Sequence, residues 1–137
     1  MFADRPAVVD GAQRYTYAEF WGHAQQLAGM LAAQGVRPGD PFTLLSPNTD
    51  VLLEAHYGVP LAGAVPVAPN IRLAAPEIGF ILEHSGAKLA IVDTEFRNLL
   101  DEASNPEHNT GQPRKRVLPV AAGADGRTPA TISDDRV

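Results

Sequence analysis

The residues best placed for chemistry are Ser46-Pro47-Asn48-Thr49, which follow the apolar run Phe42, Thr43, Leu44 and Leu45. Hydroxyl and amide groups at the carboxyl end of a parallel strand lie where open α/β sheets bind ligands. The same residue types cap helices, and capping accounts for Asn48 and Thr49. Asn70 and Arg72 follow the next apolar run (64–68) in the same way, and a hydrogen bond that shapes the loop is their expected role. Ser85-Gly86-Ala87-Lys88 has a phosphate-loop flavour but lacks the G-x-x-x-x-G-K-[ST] spacing, so it reads as a helix end entering a strand. His23, His56, His84 and His108 are each more than twenty residues apart and show no ligand spacing. Ser46, Ser85, Ser104 and Ser133 sit in no G-x-S-x-G elbow, and Glu54 and Glu83 lack a partner carboxylate at defined spacing. The sequence therefore assigns no catalytic, no cofactor-binding and no metal-binding residue.

The elements that would position such groups centre on residues 43–73, a strand, a helix and a strand. The two flanking runs are nearly continuous in apolar residues, so both faces of each strand are expected to be covered, as in a parallel sheet joined by a right-handed crossover. Before this unit, Pro6–Asp10 and Arg14–Thr16 bracket Gly11-Ala12 and predict a small hairpin. Thr16 and Glu19 form a capping box for a helix whose apolar stripe is Tyr17, Phe20, Trp21, Ala24, Leu27, Ala28 and Leu31, with Glu19, His23 and Gln26 off it. Gly35 and Val36 predict a Schellman ending, and Pro38-Gly39-Asp40 a turn. The central helix starts at Asn48 or Thr49 with Asp50 in its first turn, should kink or break near Tyr57-Gly58 ahead of Pro60, and ends at Gly63. Pro76 is expected at the first position of a third helix with Ile78, Ile81, Leu82 and Ser85 on one face and Gly86 at its end. Lys88–Val92 is a buried strand, and Asp93 or Thr94 caps a fourth helix with Phe96, Leu99, Leu100 and Ala103 inward. A loop is expected over 105–113 and a short strand over 116–120, which Pro119 would keep at an edge or end early. The fold class is α/β, a partial doubly wound and mostly parallel sheet with flanking helices behind an N-terminal hairpin. Residues 1–120 form that subdomain and 121–137 a flexible tail.

Composition narrows the function classes. The chain has 137 residues, 45% hydrophobic, with a formal charge of -5, enough for one domain with a core and opposed to a nucleic-acid surface. Arg114-Lys115-Arg116 is the one basic cluster and reads as a solvated strand edge. With no cysteine, disulfides and Cys-based metal sites are excluded. The N-terminus lacks a basic segment followed by an apolar one, and no window reaches about 18 apolar residues. A soluble, cytoplasmic protein without a membrane span is expected.

Read together, RPAVVDGAQRYTYAEF, VRPGDPFTLLSPNTDVLLEAHYGVPLAGAVPVAPNIRL and APEIGFILEHSGAKLAIVD resemble the N-terminal portion of the AMP-forming acyl-CoA synthetases. The likeness runs from Arg5 to Phe96 and more weakly to Val120, and is nearest to the medium-chain and aryl branch. The resemblance implies an enzyme that uses Mg-ATP to turn a carboxylate into an acyl-adenylate and lets coenzyme A displace AMP. The family's phosphate-holding loop, ribose-binding Asp, hinge and catalytic Lys have no counterpart here, so ATP, Mg and CoA are implied for an intact enzyme and none for this chain. Two departures stand out: Pro66 and Pro69 at the second strand, and Ala74 at the usual Ser/Thr cap position. An inactive N-terminal fragment is expected, whose apolar face meets the rest of the same enzyme or a second copy. A free-standing docking module is the alternative. A small Rossmann-like nucleotide binder is weaker, because no G-x-G-x-x-G follows a predicted strand.

Overall fold

A computed structural model describes residues 2–87, 89–105 and 118–121. The chain forms two compact units, one from Met1–Asp40 and Asn48–Pro66, the other from Pro41–Pro47 and the described residues from Val67 onward.

The first unit begins with the expected hairpin, β1 (Pro6–Asp10) and β2 (Gln13–Thr16). The strands are antiparallel, Asp10 pairs with Gln13, and Gly11 turns with φ 55°. Helix α1 (Tyr17–Ala33) opens on the predicted capping box. The Thr16 amide donates to Glu19 Oε2 at 2.8 Å, and the Glu19 amide to Thr16 Oγ1 at 3.3 Å. Only part of the expected stripe is buried: Phe20, Ala24, Leu27 and Leu31 face inward, while Tyr17 and Trp21 remain 54% and 46% exposed. An i, i+4, i+7, i+11 row is narrower than the stripe hydrophobicity suggested. The end of α1 is a full Schellman motif, with the Val36 amide on the Leu31 carbonyl and the Gly35 amide, at φ 81°, on that of Ala32. Arg37-Pro38-Gly39-Asp40 then makes a type II turn, with Gly39 at φ 85° and the Asp40 amide donating to the Arg37 carbonyl.

Helix α2 (Asp50–Leu61) corrects one expectation: it does not break at Tyr57-Gly58 but runs through to Leu61. Pro60 falls in the last turn, so the one bond it removes, to the His56 carbonyl, leaves almost no helix beyond it to break. Gly58 is there for packing, since a Cβ built on it would lie 2.7 Å from Leu27 Cδ2. Gly63 closes α2 in a second Schellman motif, donating to the Pro60 carbonyl while Ala64 donates to that of Val59.

The second unit holds β3 (Pro41–Leu45), β5 (Leu89–Val92) and β6 (Leu118–Ala121); with β4 as Val65–Val67, the sheet is ordered β4-β3-β5-β6. β3/β5 and β5/β6 are parallel, with Phe42 opposite Leu89 and Ala90 opposite Pro119. Phe42, Thr43, Leu44 and Leu45 are all buried, as a strand covered on both faces requires. β4 (Val65–Val67) departs from the reading as a buried strand over 64–68: it is three residues long, and Val65 is 51% exposed. Pro119 occupies the outermost strand, where a missing amide is tolerated. Helix α3 (Ala75–Ser85) puts Pro76 at its second rather than first position. Ala74 has no hydroxyl to offer, so one half of a capping box remains, with Glu77 Oε2 accepting from the Ala74 amide at 2.8 Å. The fourth helix starts later than expected: Asp93 caps a 3-10 turn (Thr94–Phe96), which passes into α4 (Arg97–Ala103). Leu45, Ile78, Leu82, Ala90, Val92, Leu100 and Ala103 form the core of this unit, with Phe96 and Leu99 at its margin. Of the expected loop over 105–113 and tail over 121–137, residues 106–113 and 122–137 lie outside the described residues, while Ala121 ends β6.

Two substitutions check this packing. Thr43 is fully buried and its Oγ1 has no hydrogen-bond partner, so Thr43→Val should raise stability by about 1 kcal/mol in urea unfolding. Gly58→Ala should lower it by about 1–3 kcal/mol. The cost should shrink when Leu27 is also shortened to Ala, because the two groups compete for one space.

Candidate functional site

The loop after β3 leads into the N-terminus of α2, the place where an anion would dock. Its amides are already committed. The Asp50 amide donates to Asp10 Oδ2 at 3.0 Å, that of Val51 to Asp50 Oδ1 at 2.9 Å, and that of Leu52 to the Thr49 hydroxyl at 3.4 Å. Thr49 is the cap, and Ser46 is buried with its hydroxyl on the Pro47 carbonyl at 3.2 Å. Two carboxylates thus occupy the positive end of the helix, and the structure gives Thr49 the capping role.

An open cleft of about 710 Å³ in the first unit is lined by Val8, Val9, Asp10, Asp50, Leu53 and Tyr57 among others. Its polar wall carries the same two carboxylates, which would repel a polyphosphate. The Tyr15 phenol reaches Asp50 and is raised from its ordinary range, first by burial and then by the charge and hydrogen bond of Asp50. His23 Nδ1 lies 2.7 Å from Glu54 Oε1, and the Tyr15 ring meets the His23 ring edge-on at 4.8 Å. Burial lifts the Glu54 carboxyl above its usual range, against the opposing pull of His23. Sequence reading put His23 off the buried stripe and found no partner for Glu54. The pairing spans 31 positions and is set by how α1 meets α2, which no local pattern reports.

The remaining candidates are engaged in local structure. Asn70 Oδ1 accepts from the Arg72 amide at 2.9 Å, the loop-shaping role expected of it. Ser85 Oγ donates to the Leu82 carbonyl and accepts from the Ala87 amide, beside Gly86 at φ 73°, so this turn is a helix end. His56 Nδ1 lies 2.7 Å from the Leu52 carbonyl, His84 stacks on Phe80, and the Ser104 hydroxyl donates to the Leu100 carbonyl. Lys88, His108 and Ser133 lie outside the described residues. Among the described residues no three His, Cys, Asp or Glu are grouped so as to hold a metal ion, and no helix is long and apolar enough to cross a membrane. The phosphates of Mg-ATP need free convergent amides, and the α2 amides are held instead by Asp10, Asp50 and Thr49.

Two outcomes test the electrostatics. Asp10→Ala removes an acceptor from the first turn of α2 and should cost about 0.5–2 kcal/mol in unfolding free energy. Because the folded state holds the Glu54 proton more tightly than the unfolded chain, the stability it contributes is full below the ordinary carboxyl range. It is lost as pH rises through the lifted value. Glu54→Gln should therefore flatten the fall of the urea midpoint with rising pH just above that range. An unchanged slope would assign the fall to another group.

Comparison with known proteins places this geometry. Residues 1–135 match the AMP-binding enzyme family. The chain is 34% identical over 130 residues to the peroxisomal acetate/butyrate–CoA ligase AAE7 of Arabidopsis thaliana, covering 94% of this chain and 23% of that protein. It is 34% identical over 121 residues to the 3-hydroxybenzoate–CoA ligase of Aromatoleum sp. (strain CIB), covering 88% and 23%. The crystal structure of a long-chain-fatty-acid CoA ligase from Rhodopseudomonas palustris CGA009, itself described as putative, superposes with a TM-score of 0.76 at 29% identity, covering 94% of this chain and 31% of that one. The chain thus spans about a quarter of the length of the curated relatives it matches, their N-terminal part. With a match over nearly its whole length and the fold of that region, the chain belongs to the AMP-binding enzyme family, among whose members the acyl- and aryl-CoA ligases are its relatives.

Proposed function

We propose that this chain is the N-terminal layer of a longer AMP-forming acyl-CoA ligase, one that activates a fatty or aryl carboxylate through an acyl-adenylate and passes the acyl group to coenzyme A. The observation that carries the reading is the family match over residues 1–135. ATP, Mg and CoA are cofactors of that longer enzyme. Within it this segment is a scaffold, because the α2 amides that could face a phosphate are held by Asp10, Asp50 and Thr49. The relatives act, by name, on acetate or butyrate and on 3-hydroxybenzoate. Segments each about a third identical to this chain therefore accompany quite different acyl groups. A cytoplasmic location belongs to the same proposal, although the Arabidopsis relative is named as peroxisomal.

A second reading, a free-standing interaction module that docks or dimerises through an exposed apolar face, is favoured by one face of α2. Leu53, Tyr57 and Leu61, at i, i+4 and i+8, are all exposed, and such a row is a common helix-in-groove anchor.

ATP–pyrophosphate exchange by the purified 137-residue chain, offered acetate, butyrate, benzoate and a long-chain fatty acid, should not rise above the blank. Turnover would overturn the scaffold reading. Sedimentation with a hydrophobic dye should show self-association or dye binding. A dye-silent monomer would remove the case for a docking face.

A further inference from the structure

Nothing in the scaffold role accounts for His23 and Glu54, a polar pair that ties α1 to α2 across 31 positions at 2.7 Å. We infer that this contact is a proton-operated clasp between the two helices, charge-assisted while His23 is an imidazolium and Glu54 a carboxylate, and weaker once either is neutral. A carboxylate can only accept, so Nδ1 carries the proton in both states of the ring. What changes with pH is whether the donor carries charge as well as the acceptor, which turns a charge-assisted hydrogen bond into an ion pair.

The neighbours that face the pair come from every element around it. On α2, Asp50 stands one turn before Glu54 and acts on it electrostatically. On α1, Glu19 precedes His23 by one turn and is itself pulled down, mainly by the Thr16 backbone and hydroxyl and least by His23. On β2, the Tyr15 ring lies edge-on to His23 and its phenol bonds Asp50. Arg14, the adjoining strand residue, projects to the opposite face. On β1, Asp10 holds the Asp50 amide. The surroundings are thus acidic or neutral, with no cation named among them. Burial sets the other limit: a lifted Glu54 takes up its proton early on acidification and ceases to be a charged acceptor. The clasp is therefore tightest where Glu54 is ionised and the ring beside it is charged. Partial exposure of His23, 36% of its side chain, keeps the effect moderate.

A double-mutant cycle on the full 137-residue chain tests it, using His23→Gln, Glu54→Gln and the pair, with urea unfolding at about pH 6 and about pH 8.5. The expected coupling is about threefold to tenfold in the folding equilibrium constant at the lower pH, falling by at least half in free-energy terms at the higher. Coupling that is absent at the lower pH, or equal at both, overturns the clasp. Amide hydrogen exchange on the unsubstituted chain is a second test that needs no variant. Corrected for intrinsic rates, the α2 amides should lose protection relative to those of β3 between the two pH values, and a constant ratio overturns the proposal.

Discussion

The close approach of Leu27 to Gly58 governs the first unit. With the Leu27 side chain less than 3 Å from where a Cβ would stand, the helices α1 and α2 lie nearer than side chains on both would permit. That spacing fixes everything polar or aromatic along the same seam. Phe20 reaches Tyr57 edge-on at 5.2 Å, and His23 reaches Glu54. The hairpin is drawn in by the same geometry, since Tyr15 needs both His23 and Asp50 at hand. A missing methyl group thus sets a hydrogen-bond chain that contains no glycine at all.

The second unit rests on a different constraint, the burial of β3 from Phe42 to Leu45 and of β5 from Ala90 to Val92. Ile78, Leu82, Leu100 and Ala103 cover the face of the strands that holds Leu45, Ala90 and Val92. Thr43 is the exception within that layer. Its methyl fits a branched position in a strand, while its hydroxyl is stranded without a partner.

Much of this was legible in the sequence because the signals are local. Thr16 with Glu19, Gly35 with Val36, Gly63 and Gly86 each mark a helix end by chemistry confined to a few residues, and each is found there. The continuous apolar runs at 42–45 and 89–92 announced buried parallel strands for the same reason. What failed was non-local. Tyr17 and Trp21 carry the right hydrophobicity at the right period, yet the face that α2 covers is too narrow to include them. Val65 sits in a run as apolar as that of β3, and only the sheet order shows it at the margin. Pro60 looked like a breaker because periodicity does not say how many turns remain. The polar cluster of Asp10, Tyr15, His23, Asp50 and Glu54 gathers four elements, and no spacing rule joins them.

The path of the chain between the units has a consequence for how the molecule could be assembled or dissected. The backbone leaves the first unit at Asp40, spends seven residues, Pro41–Pro47, in the second, and returns at Asn48. Neither unit is a contiguous stretch, so no single cut releases one intact. A nascent chain that has emerged only as far as Pro66 has every residue of the first unit in hand, yet holds β3 without β5, its partner from 89–92. That strand must wait, apolar on both faces, for more than twenty further residues to be made. Ribosomal pacing and chaperone access during that interval, more than the final contacts, would decide whether this region folds or aggregates.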